Sequence, residues 1–302
     1  MMNKLKNPSI TGAYDQLLTE KLDRLPSMTG LFGKAAFRTD RYQLGDPIPR
    51  LGNSVDDVYV DQNHLRAYQA LCGFQVGEKL PATYLNMLTF PMVLNIMTHG
   101  DFPMKAMGQV HLANKIAVHH NFDIRQPMSL SVTIGDSQLT SRGLEWMVEG
   151  SVKVDNEIVW SSVSTMLHRC KTDIARELKT PVMQEGIPQE WQVDSNMGRR
   201  YAKVSGDYNP IHMANITAKL FGFKKAIVHG MWSKARCLAM LSEQLPDTGY
   251  TVDVSFHRPL FLPSKVLFYT KQCPRQTQFS LFNPMSEQAH LEGSISQDFT
   301  NA

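Results

Sequence analysis

The segment from Tyr201 to Met231, YAKVSGDYNPIHMANITAKLFGFKKAIVHGM, holds the residues whose types and spacing could do chemistry. Asp207 and His212 stand either side of Pro210, in a run of turn formers, Ser205-Gly206-Asp207-Tyr208-Asn209-Pro210. Such a run bends the chain. A carboxylate and an imidazole held close together can share general acid and base work near neutral pH. His229-Gly230 then opens an expected helix. The free N–H groups of a helix start, with no side chain at Gly230, can approach an oxyanion closely. Each piece alone has a plainer reading: Asp207 as a turn or capping residue, His212 as structural, His229 as packing. Their conjunction points to a site.

The elements that must position these residues come in two similar sets. Helical stretches at 63–71 and at the apolar run 85–97 precede strand-like segments at 111–118, 129–135, 144–154 and 158–167, rich in Val, Ile, Trp and Thr. Asp155-Asn156 reads as the hairpin turn between the last two. Residues 171–195, with charges, prolines and a glycine, read as a linker. The order then repeats: a helix at 230–245, with Met231, Ala235, Leu238 and Leu241 on one face, and strands at 251–256, 264–270, 278–282 and 289–296. Tyr68/Gly73 and Tyr201/Gly206 share their spacing, as do Glu149-Gly150-Ser151-Val152 and Glu292-Gly293-Ser294-Ile295 their pattern. We read a duplicated α+β chain, with halves at 1–170 and 196–302 and helix wrapped by antiparallel sheet in each. Residues 1–50 show no sustained period and read as loops and short helices laid over it.

The string at 201–231 resembles the signature of the MaoC-like, hydratase-2 branch of hot-dog proteins. The match is carried by Tyr201, Ser205, Gly206, Asp207, Asn209, Pro210, Ile211 and His212, then Gly222-Phe223 and Ile227-Val228-His229-Gly230-Met231. Ala214 departs from an Asp common in that family and removes a local cap, not an acid or base. The resemblance implies a double hot-dog fold. It also implies (R)-specific hydration of trans-2-enoyl thioesters, or dehydration of (R)-3-hydroxyacyl thioesters, on CoA or acyl carrier protein. Asp207 and His212 are then the catalytic pair, and Gly230 N–H the donor to the thioester carbonyl. Asn209, His229 and Ser205 join Gly230 as the oxyanion and substrate-binding set, Asn209 also bracing the loop, and no metal or other cofactor is required. The alternatives are a non-catalytic thioester-binding module and a hot-dog thioesterase.

The first half lacks this equipment. Aligning Tyr68/Gly73 on Tyr201/Gly206 puts Phe74 where Asp207 stands, and no histidine occurs between His64 and His99. We expect an inactive half that completes the fold, and two readings of Met92, Met97, Met104 and Met107: an acyl tunnel, or core filler. His119-His120, read as strand neighbours facing opposite ways, do not suggest a metal site.

Charge and cysteines bound the rest. Lys plus Arg is 31 against 28 acidic residues, too even for a nucleic-acid binder. Residues 199–236 nevertheless hold eight basic residues against Asp207 alone. That cluster suits a polyanionic carrier, with Lys224, Lys225, Arg236 and Arg258 as candidate phosphate contacts. Four scattered cysteines, no secretory signal and no apolar run of about 20 residues fit a cytoplasmic protein without a membrane span. The hot-dog resemblance implies a fused pair that stands alone as a monomer or pairs again as a homodimer.

Overall fold

The computed structural model describes residues 17–176, 182–285 and 288–297. The first half contains β1 (Leu18–Leu22), α1 (Met28–Ala36), β2 (Leu51–Val58), α2 (Gln62–Cys72) and α3 (Ala82–Met97). An antiparallel set follows: β3 (Val110–Val118), β4 (Met128–Thr140), β5 (Gly143–Val154) and β6 (Glu157–His168). The second half contains β7 (Gln189–Val193), α4 (Met197–Ser205), α5 (Pro210–Met213), α6 (Asn215–Leu220) and α7 (Gly230–Met240), then β8 (Tyr250–Phe256), β9 (Ser264–Cys273), β10 (Gln276–Phe282) and β11 (Ala289–Gln297).

The strands of the described residues form one sheet in the order β1-β2-β4-β5-β6-β3-β8-β11-β10-β9-β7. Without β1, that order is a palindrome of the two halves, so they are related by a pseudo-two-fold at β3–β8. There, Ala113–Val118 pairs antiparallel with Tyr250–Ser255. α3 and α7 are the central helices that the two half-sheets wrap, the arrangement of a double hot-dog. α3 is apolar almost all round, Tyr84, Leu85, Met87 and Met92 being buried, because it is enclosed on every side.

The duplication is visible in local geometry. α2 and α4 each end on a left-handed glycine, Gly73 (φ 84°) and Gly206 (φ 74°), a conformation that favours glycine. The tyrosines five residues earlier lie with ring centroids 6.3 Å apart. After Gly73 the first half runs through a short loop pinned by Gln69, which bonds Gly77 and Lys79. The second half inserts α5 and α6 at that point.

Most strands match their sequence reading, and the Asp155-Asn156 turn has both residues at positive φ (50° and 66°), as that hairpin demands. Four places differ. β2 is a strand despite its polar string LGNSVDDV: Asn53 is buried and donates to the Met92 carbonyl at 3.0 Å, and a bulge containing Asp57 (φ 57°) breaks the alternation. β7 lies inside the interval read as linker; it is a polar edge strand that exists through its pairing with β9. The helix read to residue 245 stops at Met240, followed by a 3-10 turn at Ser242–Gln244. His119 and His120 lie just beyond β3, not within it, and His119 Nε2 sits 2.8 Å from Ser161 Oγ.

Candidate active site

The catalytic-type loop is built by three successive turns. Gly206 ends α4 and reverses the chain. Asp207 N–H donates to Ser205 Oγ (3.2 Å), and Asn209 N–H donates to Asp207 Oδ1 (3.1 Å), which aims the carboxylate. Asn209 then caps α5 through Oδ1 to Ile211 N–H (3.4 Å), with Pro210 at the first helical position. His212 is thereby placed on a single helical turn. That turn rests on α4 at Gly198, where an added Cβ would lie 2.1 Å from the His212 carbonyl oxygen. Sequence reading missed Gly198, since a glycine inside a helix carries no sign of what presses on it.

His212 Nδ1–H donates to the Ile227 carbonyl (2.8 Å), which leaves Nε2 with a free lone pair. His229 precedes α7, and its ring stacks on His212 at 3.6 Å between centroids. Its Nε2–H donates to the Asp207 carbonyl (3.0 Å) and lies 3.8 Å from Asp207 Oδ2. The three side chains bring one donor atom each to within 4.8 Å of one another. Burial dominates their titration. It lowers His212 to about 3, helped by the neighbouring His229, and His229 to about 4. It raises Asp207 above the usual carboxylate value, partly offset by His212. A quarter of the Asp207 side chain is exposed, and Asp207 lines the cavity. Two neutral imidazoles therefore stand beside a carboxylate made more basic than usual. As a metal site the trio fits poorly: each ring has one nitrogen committed to a carbonyl, the remaining His229 nitrogen is buried, and stacked rings do not converge on one ion.

Gly230 opens α7 with its N–H outside the helical ladder. A Cβ there would lie 3.1 Å from the Phe256 ring, so the bare backbone faces the cavity wall. α7 is locked by Lys234, fully buried, whose Nζ donates to Asn114 O (2.7 Å), Asn114 Oδ1 (2.6 Å) and Val252 O (3.3 Å). Burial drives its pKa well down. Three carbonyl-type acceptors nonetheless match the three donors of an ammonium.

One cavity of 380 Å³ joins these groups to the first half. Asp207, His212 and Gly230 line one part of it; Phe90, Met97 and Val148 line another. Of the four methionines singled out, Met97 and Met107 line the cavity, whereas Met92 and Met104 are core. Among the candidate phosphate contacts, Arg258 is exposed and lines the cavity, and Lys224 and Lys225 are exposed beside Phe223, which also lines it. Arg236 instead lies against Gly73 and 5.6 Å over the Trp191 ring, spent on packing. Lys234 likewise leaves the surface cluster for the core. Ala214 is the residue before α6 and provides no side-chain cap, as its apolar type dictates.

Comparison with known proteins places this geometry. The family model described as MaoC like domain matches residues 175–278. The chain is 32% identical over 254 residues to 3-hydroxyacyl-thioester dehydratase X of Mycobacterium tuberculosis, covering 83% of this chain and 90% of that protein. The crystal structure of HtdX from the same organism superposes with a TM-score of 0.73 at 30% identity, over 82% of this chain and 99% of that one. Another Mycobacterium tuberculosis protein, described as having a double hotdog fold, superposes at 0.52 with 9% identity over 85% of this chain and all of that one, a likeness of fold alone. The chain belongs to the MaoC-like dehydratase family, as a double hot-dog hydro-lyase.

Proposed function

We propose that the chain adds water across the double bond of trans-2-enoyl thioesters with (R) specificity, and removes it from (R)-3-hydroxyacyl thioesters, at one site per chain. The observation that carries this reading is the convergence of Asp207, His212 and the Gly230 N–H on a single cavity. Two acceptors up to 4.8 Å apart can both take a hydrogen from one water held about 2.8 Å from each. A water held in this way turns its lone pair toward C3 of the substrate. Asp207, whose carboxylate is made more basic than usual by burial, takes a proton from that water as its oxygen bonds to C3, and returns it to C2. His212 Nε2 holds the second hydrogen. Dehydration runs the same path backward: the C2 proton moves to Asp207 and then to the departing hydroxyl. Gly230 N–H meets the thioester oxygen as enolate charge develops, and one such donor is worth about 2.7–4 kcal/mol.

On this reading Asn209, Ser205 and His229 position the pair, and neither metal nor other cofactor takes part. The first half, with Phe74 in the place of Asp207, is inactive and houses the acyl chain along Met97. The carrier is CoA or acyl carrier protein, the setting is cytoplasmic, and the fused pair acts as a monomer or homodimer. A thioesterase would need the carboxylate aimed at the thioester carbonyl, where Gly230 N–H already stands, and a purely binding module would not need the base pair.

The test is hydration of crotonyl-CoA by Asp207→Asn and His212→Gln. General acid–base contributions of about 10²–10⁴-fold should vanish from kcat with KM little changed. Wild-type rates in both variants would overturn the assignment, and release of free thiol would favour the thioesterase.

A further inference from the structure

α6 is inside out. Its inner side is anchored: Thr217 Oγ1 donates to the Pro210 and Ala214 carbonyls (2.6 and 2.9 Å), Ala218 is fully buried, and Asn215 Oδ1 accepts from Ala226 N–H (2.9 Å). Its outer side carries the large apolar residues. Ile216 is 74% exposed and Leu220 81%, one helical turn apart on the same face, and Phe221 follows at 42%. A segment held this firmly, which turns Ile and Leu to solvent, is built to meet something.

The rim of this patch is cationic and uncompensated. Lys219, Lys224 and Lys225 are exposed and have no ion-pair partner among the described residues. Four other cations of the 199–236 cluster are occupied elsewhere: Arg199 donates to the Met213 carbonyl (3.2 Å), Arg200 faces Asp194 at 3.5 Å, Lys234 is buried, and Arg236 covers Trp191. The one acid of the stretch, Asp207, lines the cavity, as does Phe223, which stands between Leu220 and Lys224 in the chain. The patch is therefore continuous in the chain with a wall of the active-site cavity.

Resting on the proposed thioester chemistry, we infer that the outer face of α6 is the docking site of an acidic carrier protein. Ile216, Leu220 and Phe221 receive an apolar helix ridge, and Lys219, Lys224 and Lys225 pair with the acids that flank it. CoA alone has phosphates for the lysines but no helix to cover an i, i+4 apolar pair. A second copy of this chain would bring the same positive rim against itself.

The experiment compares crotonyl groups carried on a phosphopantetheinylated bacterial acyl carrier protein and on CoA, using the full chain. For Ile216→Ser/Leu220→Ser, kcat/KM on the carrier-protein substrate should fall by about 30-fold through KM, with crotonyl-CoA within about twofold of wild type. Lys219→Glu should produce a selective loss of the same kind and flatten the salt dependence of KM on the carrier-protein substrate. Equal losses on both substrates, or none on the carrier protein, would overturn the inference. So would wild-type carrier-protein kinetics in variants that lose binding to anionic phospholipid vesicles. Should wild type turn over neither thioester, the function proposed above fails. Titration of the holo-carrier against wild type and Ile216→Ser/Leu220→Ser then still decides the docking site, since absent or unchanged binding refutes it.

Discussion

Replacing Gly198 by alanine sets local propensity against tertiary packing, and the two predict opposite signs. Gly198 lies inside α4, where alanine is ordinarily favoured over glycine by about 0.5–1 kcal/mol. In this fold, however, the new Cβ would stand 2.1 Å from the His212 carbonyl oxygen. Carbon–oxygen contacts settle near 3.3 Å, so α5 must retreat by about 1.2 Å. That displacement acts on the residue that carries the free imidazole nitrogen, and it pulls on the 2.8 Å bond from His212 Nδ1 to Ile227. A misplacement of about 1 Å in a reacting group costs about 10²-fold in rate, and forced overpacking costs about 1–3 kcal/mol of stability. Gly198→Ala should therefore lower kcat for crotonyl-CoA hydration by about 10²-fold and lower Tm. Gly30, with open space around it in α1, is the control: Gly30→Ala should leave kcat unchanged. A Gly198→Ala enzyme with wild-type kcat and a raised Tm would refute the contact as the reason for this glycine.

Two further outcomes follow from burial and from the cavity. His212, His229 and His111 are lowered from 6.5 to about 3, 4 and 4, chiefly by burial, so the unfolded chain takes up protons that the folded one refuses. Their contribution is fully present above about pH 6.5 and is lost as pH falls toward 4, by up to ~1.4 kcal/mol per histidine per pH unit. The urea midpoint at pH 5 should lie well below that at pH 7, and an unchanged midpoint would contradict the neutral, buried imidazoles. Met97→Trp should fill the part of the cavity lined by first-half residues: kcat/KM for C12–C16 enoyl-CoA falls by about tenfold or more while C4 stays within about threefold. Equal losses at all lengths would place the acyl chain elsewhere.

The shape of the candidate loop was legible because it is written in consecutive residues. Ser205 to His212 determine a glycine-ended helix, two side-chain-stabilised turns and a proline-started helical turn through local bonds, which depend on spacing alone. The same holds for the Asp155-Asn156 hairpin and for the apolar α3. What depends on partners far away in the chain was not legible. β7 and β2 are strands because β9 and β4 offer them partners, and their own side chains barely alternate. Nor does the count of basic residues at 199–236 reveal that Lys234 turns into the core and Arg236 onto Trp191, because long cationic side chains go wherever carbonyls or a ring await them. Met97 and Met92 are indistinguishable as letters; only the packing of α3 against the sheet sends one into the cavity and the other into the core. The sequence by itself determined the local geometry of the candidate catalytic loop, because its bonds reach two or three residues. Tertiary structure alone decided which residues press on that loop, where the cavity runs and which apolar side chains stay outside, because those depend on contacts between residues far apart in the chain.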